Sequence, residues 1–288
     1  MNGLRRIFRN EQGGLRTGWK LIVGLAAGYG TLFAVRFLLG FAFGRLFEAW
    51  GITNGNLAYA PVYAQHIVLW HTDFTHLTAY IAGILVGMKL ARRWTKPAEN
   101  HPGMIAFGAF AGIACGALMT AASLALDSMR LEWPLGEPMF STGLISGIVV
   151  LAAGCLCNEV IGKRLVFDPL RQRFGRWPAY LAVAVISAFA GTAPLGMLNS
   201  ALIGFVGCLV YERGDLTASA AMQAAWMFWT NHLFAWPDSG YANVYRMFEV
   251  SEGWLTGGSA GAEAGIGCTI LWMIIAAYLL LKERNANA

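Results

Sequence analysis

A polytopic bundle of about eight transmembrane helices, all-α, is the fold class the sequence predicts. Three observations predict it. Of the 288 residues 57% are hydrophobic and only 13% charged, against roughly a quarter charged in a soluble domain. Apolar runs close to the ~20 residues that a bilayer span requires recur from one end of the chain to the other. Lysine and arginine concentrate in alternate breaks between those runs, the pattern of a multi-pass protein.

Taken in order, the runs are 19–43, 66–88, 103–126, 140–160, 177–193, 195–211, 216–236 and 261–281. The first is too long for a signal-peptide core and no small-residue cleavage site closes it, so it is expected to stay as an anchor behind a cytoplasmic segment, 1–18. Arg5, Arg6, Arg9, Arg16 and Lys20 precede or open run one. Lys89, Arg92, Arg93 and Lys96 follow run two, Lys163 to Arg176 follow run four, Arg213 follows run six, and Lys282 and Arg284 follow run eight. The other loops are acidic, with Glu48, Asp127, Glu132, Glu137, Asp238, Glu249 and Glu252 against Arg130 and Arg246. Basic loops stay in the cytoplasm. The expectation is therefore a protein of the cell (inner) membrane with both termini cytoplasmic. Its net charge of +5 reflects topology and anionic lipid, and no nucleic-acid partner is expected.

One domain, 1–288, is expected, because no low-complexity linker and no fixed-period repeat divides the chain. Gly108, Gly112 and Gly116 are four apart in run three, a spacing that lets helix backbones approach closely in lipid. The stretch 163–176 reads as a basic interfacial segment whose apolar face is Phe167, Leu170 and Phe174. Cys115, Cys155, Cys157, Cys208 and Cys268 all fall inside runs, where thiols pack as small apolar groups. Cys155 and Cys157 form one close pair without a second at zinc-site spacing. Trp50, Tyr59, Trp70, Trp133, Trp177, Tyr211 and Trp236 near run ends read as an aromatic belt.

Ionisable residues inside the bilayer are where chemistry is sought, since each costs ~2.5–3.5 kcal/mol at the bilayer centre and needs a partner. The candidates are Arg36, the group His66, His71, Asp73 and His76, the pair Glu159 and Lys163, His232 and Glu263. Five-residue spacing turns successive histidines by ~140°, so no single helix face gathers His66, His71 and His76. Capping and interfacial packing account for that group. The sharper reading is a zinc or proton site completed by Arg36 or Glu263 from other runs. Glu159 and Lys163, four apart with the acid first, suit a local ion pair. Arg36 can snorkel from a tilted helix.

The segment Cys157-Asn158-Glu159-Val160-Ile161-Gly162-Lys163-Arg164-Leu165-Val166-Phe167, closing a run, resembles the CPBP family of CAAX-protease and bacteriocin-processing intramembrane peptidases. Leu15-Arg16-Thr17-Gly18-Trp19-Lys20, Tyr211-Glu212-Arg213-Gly214-Asp215-Leu216 and Trp254-Leu255-Thr256-Gly257-Gly258 with Glu263 are similar to other parts of that family. The family's motifs are E-E-x-x-x-R at a run end, F-x-x-x-H on the next and H-x-x-x-N or D two runs later. The resemblance places the first glutamate at Asn158, the second at Glu159 and the arginine at Lys163. Phe189 keeps the second motif's aromatic, but its histidine falls on Ala193. In the third motif the histidine falls on Gln223 and the closing residue on Met227.

Hydrolysis there would need a carboxylate base, charge to stabilise an oxyanion and imidazoles to assist. Asn158 does not ionise. Glu159 is the one retained motif acid, whereas a catalytic zinc wants about three protein ligands. His232 lies nine residues beyond Gln223, on the opposite face of a regular helix and ~13 Å further along. Across the chamber, Asn158 and Gln223 are expected to hydrogen-bond and hold helices together. The sequence thus leads to a catalytically impaired CPBP-like scaffold in the lipid bilayer that binds a membrane-anchored peptide or a membrane protein. No cofactor is expected, and zinc enters only through the histidine group or ligands not yet identified. An endopeptidase using Glu159 is the alternative, and a transporter, for which no inverted repeat is found, is the third class.

Overall fold

A computed structural model of the protein describes residues 15–52, 62–94, 101–132, 140–237, 245–251 and 253–286, with the side chains of 62–66, 68, 69, 140–146, 246 and 286 excepted. Helix dominates. In chain order the elements are α1 (Thr17–Ala49), α2 (Val62–Trp94), α3 (Pro102–Ala125), β1 (Met129–Glu132) and α4 (Phe140–Glu159). A π-helical segment (Val160–Phe167) follows, then α5 (Asp168–Phe174), α6 (Arg176–Ala188), α7 (Pro194–Arg213) and α8 (Leu216–Met227). A second π-helical segment (Phe228–Leu233), β2 (Arg246–Glu249), two 3-10 turns (Gly258–Ala260 and Ala262–Ala264) and α9 (Ile266–Ala286) complete the chain.

Five helices among the described residues are long and apolar enough to cross a membrane: Thr17–Ala49, Trp70–Trp94, Pro102–Ala125, Pro194–Arg213 and Ile266–Asn285. For two of the three expected runs that are not among these five, the difference has a physical cause. The fifth run folds as the 13-residue α6, about 20 Å long against a hydrocarbon core of ~30 Å. The seventh run is divided between the 12-residue α8 and the second π segment. In the fourth run, α4, the side chains of the first two turns lie outside the described residues.

The exterior is apolar. Phe33, Phe37 and Phe41, at helical spacing on α1, stack with ring centroids 6.2 and 6.5 Å apart and face outward. Leu85, Phe110 and Phe189 are also largely exposed, whereas Glu159, Lys163, Arg164 and Asp168 are buried. Water does not favour such a distribution, and hydrocarbon does.

Small residues set the packing inside. Along α3, a Cβ placed on Gly108 would sit 2.3 Å from the Ala218 carbonyl oxygen and one on Gly112 would sit 2.4 Å from that of Met222, while one on Gly116 would strike Trp229. The predicted small-residue stripe is thus the seam on which α3 meets α8. Around it Trp226, Trp272, Met119, Met222, Cys115 and Cys268 form the main core. A second cluster of Leu32, Ala79, Ala91, Cys157, Ile161 and Leu165 ties α1 and α2 to the first π segment. The five cysteines are free and buried.

The stretch 163–176 departs from an interfacial ribbon. From Lys163 to Leu170 it is buried, Phe167 and Leu170 included; residues 171–174 are exposed. Arg164 pairs with Asp168 at 3.1 Å, and Tyr211 donates to the same carboxylate at 2.9 Å. Burial pushes the Asp168 carboxyl above the usual carboxylate range, and these two hydrogen bonds oppose it. Beyond it, Glu212 meets Arg171 at 2.9 Å and Arg176 at 3.2 Å, and Arg213 meets Glu283 at 2.8 Å. Arg176 also pairs with Glu283. One end of α6, α7 and α9 is thereby fastened by ion pairs.

At the other end, β1 and β2 pair antiparallel, Met129 opposite Glu249 and Glu132 opposite Arg246. Asp215 starts α8 by accepting from the Thr217 and Ala218 amides at 2.8 and 3.1 Å, an N-cap. Pro194 and Pro102 occupy first-turn positions of α7 and α3, where a missing N–H costs nothing.

Gly112→Ala is expected to lower stability by about 1–3 kcal/mol, because the new methyl meets backbone that cannot yield. Gly40→Ala, at a position open on all sides, is expected to leave stability level or raise it by up to about 1 kcal/mol. Thermal unfolding of the two variants in detergent checks the pair.

Candidate functional site

The first π segment, α6, α7, α8 and the turns before α9 enclose a cavity of about 640 Å³. Its walls use the part of α6 from Val183 on and the part of α7 from Gly196 to Gly204, so it lies away from the Arg176 and Arg213 ends of those helices. The α6–α7 turn, Phe189–Thr192, and the turn Ala260–Glu263 also line it.

Glu159 closes α4 against this space and is buried. Ser219 Oγ donates to Glu159 Oε2 and Gln223 Nε2 donates to Oε1, both from α8. Lys163 Nζ lies 3.7 Å from Glu159 Oε1 and donates to the Gly204 carbonyl at 3.2 Å. Gly207 allows the approach: a Cβ there would lie 3.2 Å from Lys163 Nζ. The expected i,i+4 pair therefore exists, fully inside the protein, and it joins the first π segment to α7 while Ser219 and Gln223 join α4 to α8.

Asn158, Glu159, Lys163, Gln223 and Met227 all line the cavity, as does Phe189. Ala193 does not; it caps the start of α7 before Pro194. The expected Asn158–Gln223 bond is replaced by Gln223–Glu159, because Asn158 points to the more exposed side of the helix end. Cys155 Sγ lies 3.7 Å from Met227 Sδ, a thiol packed on a thioether.

Glu263, in the turn Ala262–Ala264, also lines the cavity. The sharper reading of the histidine group would complete it with Arg36 or Glu263; Glu263 bonds elsewhere, accepting from Ser200 Oγ at 3.0 Å and Trp226 Nε1 at 3.2 Å. Its backbone is held as well. Asn199 Nδ2 donates to the Glu263 and Gly265 carbonyls at 2.7 and 2.9 Å, and Thr269 fixes the amide by donating to Asn199 Oδ1 at 2.6 Å. Gly257 and Gly261, with φ of +90° and +86°, make the tight turns that bring it there; a Cβ on Gly257 would fall 2.0 Å from the Gly261 carbonyl oxygen.

The histidine group lies away from these contacts. His71 packs between Phe43 and Phe47, 5.0 Å from each ring centroid. His76 lies 6.3 Å from the Tyr80 ring, over which the Arg36 guanidinium sits at 5.1 Å. Asp73 is half-buried on the same helix, and the side chain of His66 is outside the described residues. Among the described residues no three His, Cys, Asp or Glu side chains come together as a metal site. His232, in the second π segment, packs against Gly147 of α4, where a Cβ would lie 2.7 Å from its ring. It does not line the cavity.

Ser219, Ser200, Asn199 and Trp226 were not singled out in the sequence. Their signal is weak: polar residues on otherwise apolar helices, each satisfied by a carboxylate or carbonyl from a distant segment. Comparison with known proteins returns no matching family model, no matching curated protein and no matching solved structure.

Removing one member of the buried pair leaves an uncompensated charge. Lys163→Met is expected to cost about 3–5 kcal/mol of stability, and adding Glu159→Gln is expected to restore most of it. Thermal unfolding of the single and double variants checks this; a single variant that melts like the parent would contradict it.

Proposed function

We propose that the chain is a CPBP-like membrane scaffold whose peptidase centre is impaired and whose cavity receives a membrane-anchored peptide or a segment of a membrane protein. The observation that carries this reading is the Gln223–Glu159 hydrogen bond. Where the family resemblance calls for an imidazole beside the acid, an amide donor stands instead. It cannot exchange a proton near neutral pH, so Glu159 has no relay partner there.

The surroundings of Glu159 support the same reading. Its two oxygens are engaged by Ser219, Gln223 and the Lys163 ammonium, which makes it a structural anion rather than a base waiting for water. No histidine lines the cavity among the described residues. The cavity itself is of the size that holds a ligand or several side chains of a peptide. Its lining includes Phe189, 80% exposed, which gives an occupant an approach from hydrocarbon.

The proposal includes the membrane arrangement read from the charges: about eight passes in the cell membrane, counting α4, short α6 and the broken α8 segment, with both termini cytoplasmic. Under it the ion-paired end of α6, α7 and α9 faces the cytoplasm and the cavity opens toward the outer half of the bilayer.

Incubating the purified protein with a panel of membrane-anchored peptides, beside a Glu159→Ala control, tests the reading. Peptides are expected to bind and remain intact. Cleavage that disappears in the control would overturn the impaired-centre reading in favour of an active endopeptidase.

A further inference from the structure

Among the described residues three charged side chains line the cavity: Glu159, Lys163 and Glu263. The first two pair with each other at 3.7 Å. Glu263 faces only neutral donors, Ser200 Oγ and Trp226 Nε1, and forms no ion pair among the described residues. The described lining thus carries one negative charge in excess, on a half-buried carboxylate.

We infer that Glu263 is a recognition site for an organic cation, and that its occupant is the ammonium of a lysine carried on an apolar stretch of the bound peptide; this rests on the peptide-binding reading above. Charge complementarity carries the argument. An anion without an ion-pair partner inside the bilayer is costly unless a cation joins it. The remaining walls nearby, Ile203, Trp226, Trp236 and Ala262, suit the methylene stem of a lysine, which buries its chain and keeps its charge at a polar contact.

The carboxylate is also held in position. Asn199 grips the backbone on both sides of Ala264, Thr269 sets the Asn199 amide, and Ser200 and Trp226 orient the carboxylate oxygens. A preorganised acceptor loses little freedom when the cation arrives. A divalent metal is a poorer occupant, because one carboxylate and one hydroxyl fall well short of the six or more oxygens that calcium takes.

The test uses the full chain in lipid nanodiscs and three fluorescent membrane peptides of one apolar sequence, differing at a single position: lysine, norleucine or glutamate. Binding is read by anisotropy. The lysine peptide is expected to bind at least about tenfold more tightly than the norleucine peptide, with the glutamate peptide weakest. In Glu263→Gln, whose amide oxygen can still accept from Trp226 while its amide nitrogen donates to the Ser200 hydroxyl, the preference for lysine over norleucine is expected to vanish. Equal affinity for the lysine and norleucine peptides would overturn the cation site and leave the peptide-binding reading standing. Failure of all three peptides to bind would overturn both. The wild-type series decides the question even if the variant does not fold.

Discussion

The buried pair of Glu159 and Lys163 is the interaction on which the rest of the structure depends. A carboxylate taken out of water needs its charge and its lone pairs answered, and here the answers come from the first π segment and α8. Lys163 supplies the charge at 3.7 Å and reaches on to the Gly204 carbonyl of α7. Ser219 and Gln223 supply hydrogen bonds from α8. The end of α4 is therefore fixed relative to α7 and α8. A neutral residue at either member would leave its partner buried and uncompensated, a larger penalty than the pair's own net contribution.

Around that node the forces are those of a protein dissolved in lipid. Apolar burial between helices gains little when the surrounding hydrocarbon is equally apolar, so close backbone approach and polar contacts take its place. The glycine stripe of α3 against α8 provides the first, and the Asn199, Ser200 and Trp226 contacts to the Glu263 turn provide the second. Both converge on α8. That helix carries Gln223 and Trp226 on the cavity side and gives its backbone to Gly108 and Gly112 on the other.

Much of the helical framework was legible because apolar runs report their own length. Runs 103–126 and 195–211 lie within two residues of Pro102–Ala125 and Pro194–Arg213. Where the reading departed from the structure, the cause is tertiary. Apolar character alone does not say that the fifth run turns at Gly191, where a Cβ would collide with the Gly196 and Met197 backbone. Nor does it say that helices widen to π turns after Glu159 and Met227. At the site, the i,i+4 spacing made Glu159–Lys163 readable. Glu263 stood out as an intramembrane acid, but its partners Ser200 and Trp226 belong to distant segments that only folding brings together. The stretch 163–176 looked interfacial because it is basic; its first half is buried because Lys163 and Arg164 find acids within four residues.

The central claim, that Glu159 is a structural anion held by an ammonium, a hydroxyl and an amide, is tested most directly by an experimentally determined structure of the full chain in lipid nanodiscs. The account predicts Ser219, Gln223 and Lys163 as the polar neighbours of the Glu159 carboxylate. An imidazole or a metal ion within hydrogen-bonding or ligand distance of Glu159 would contradict it and restore a hydrolytic centre.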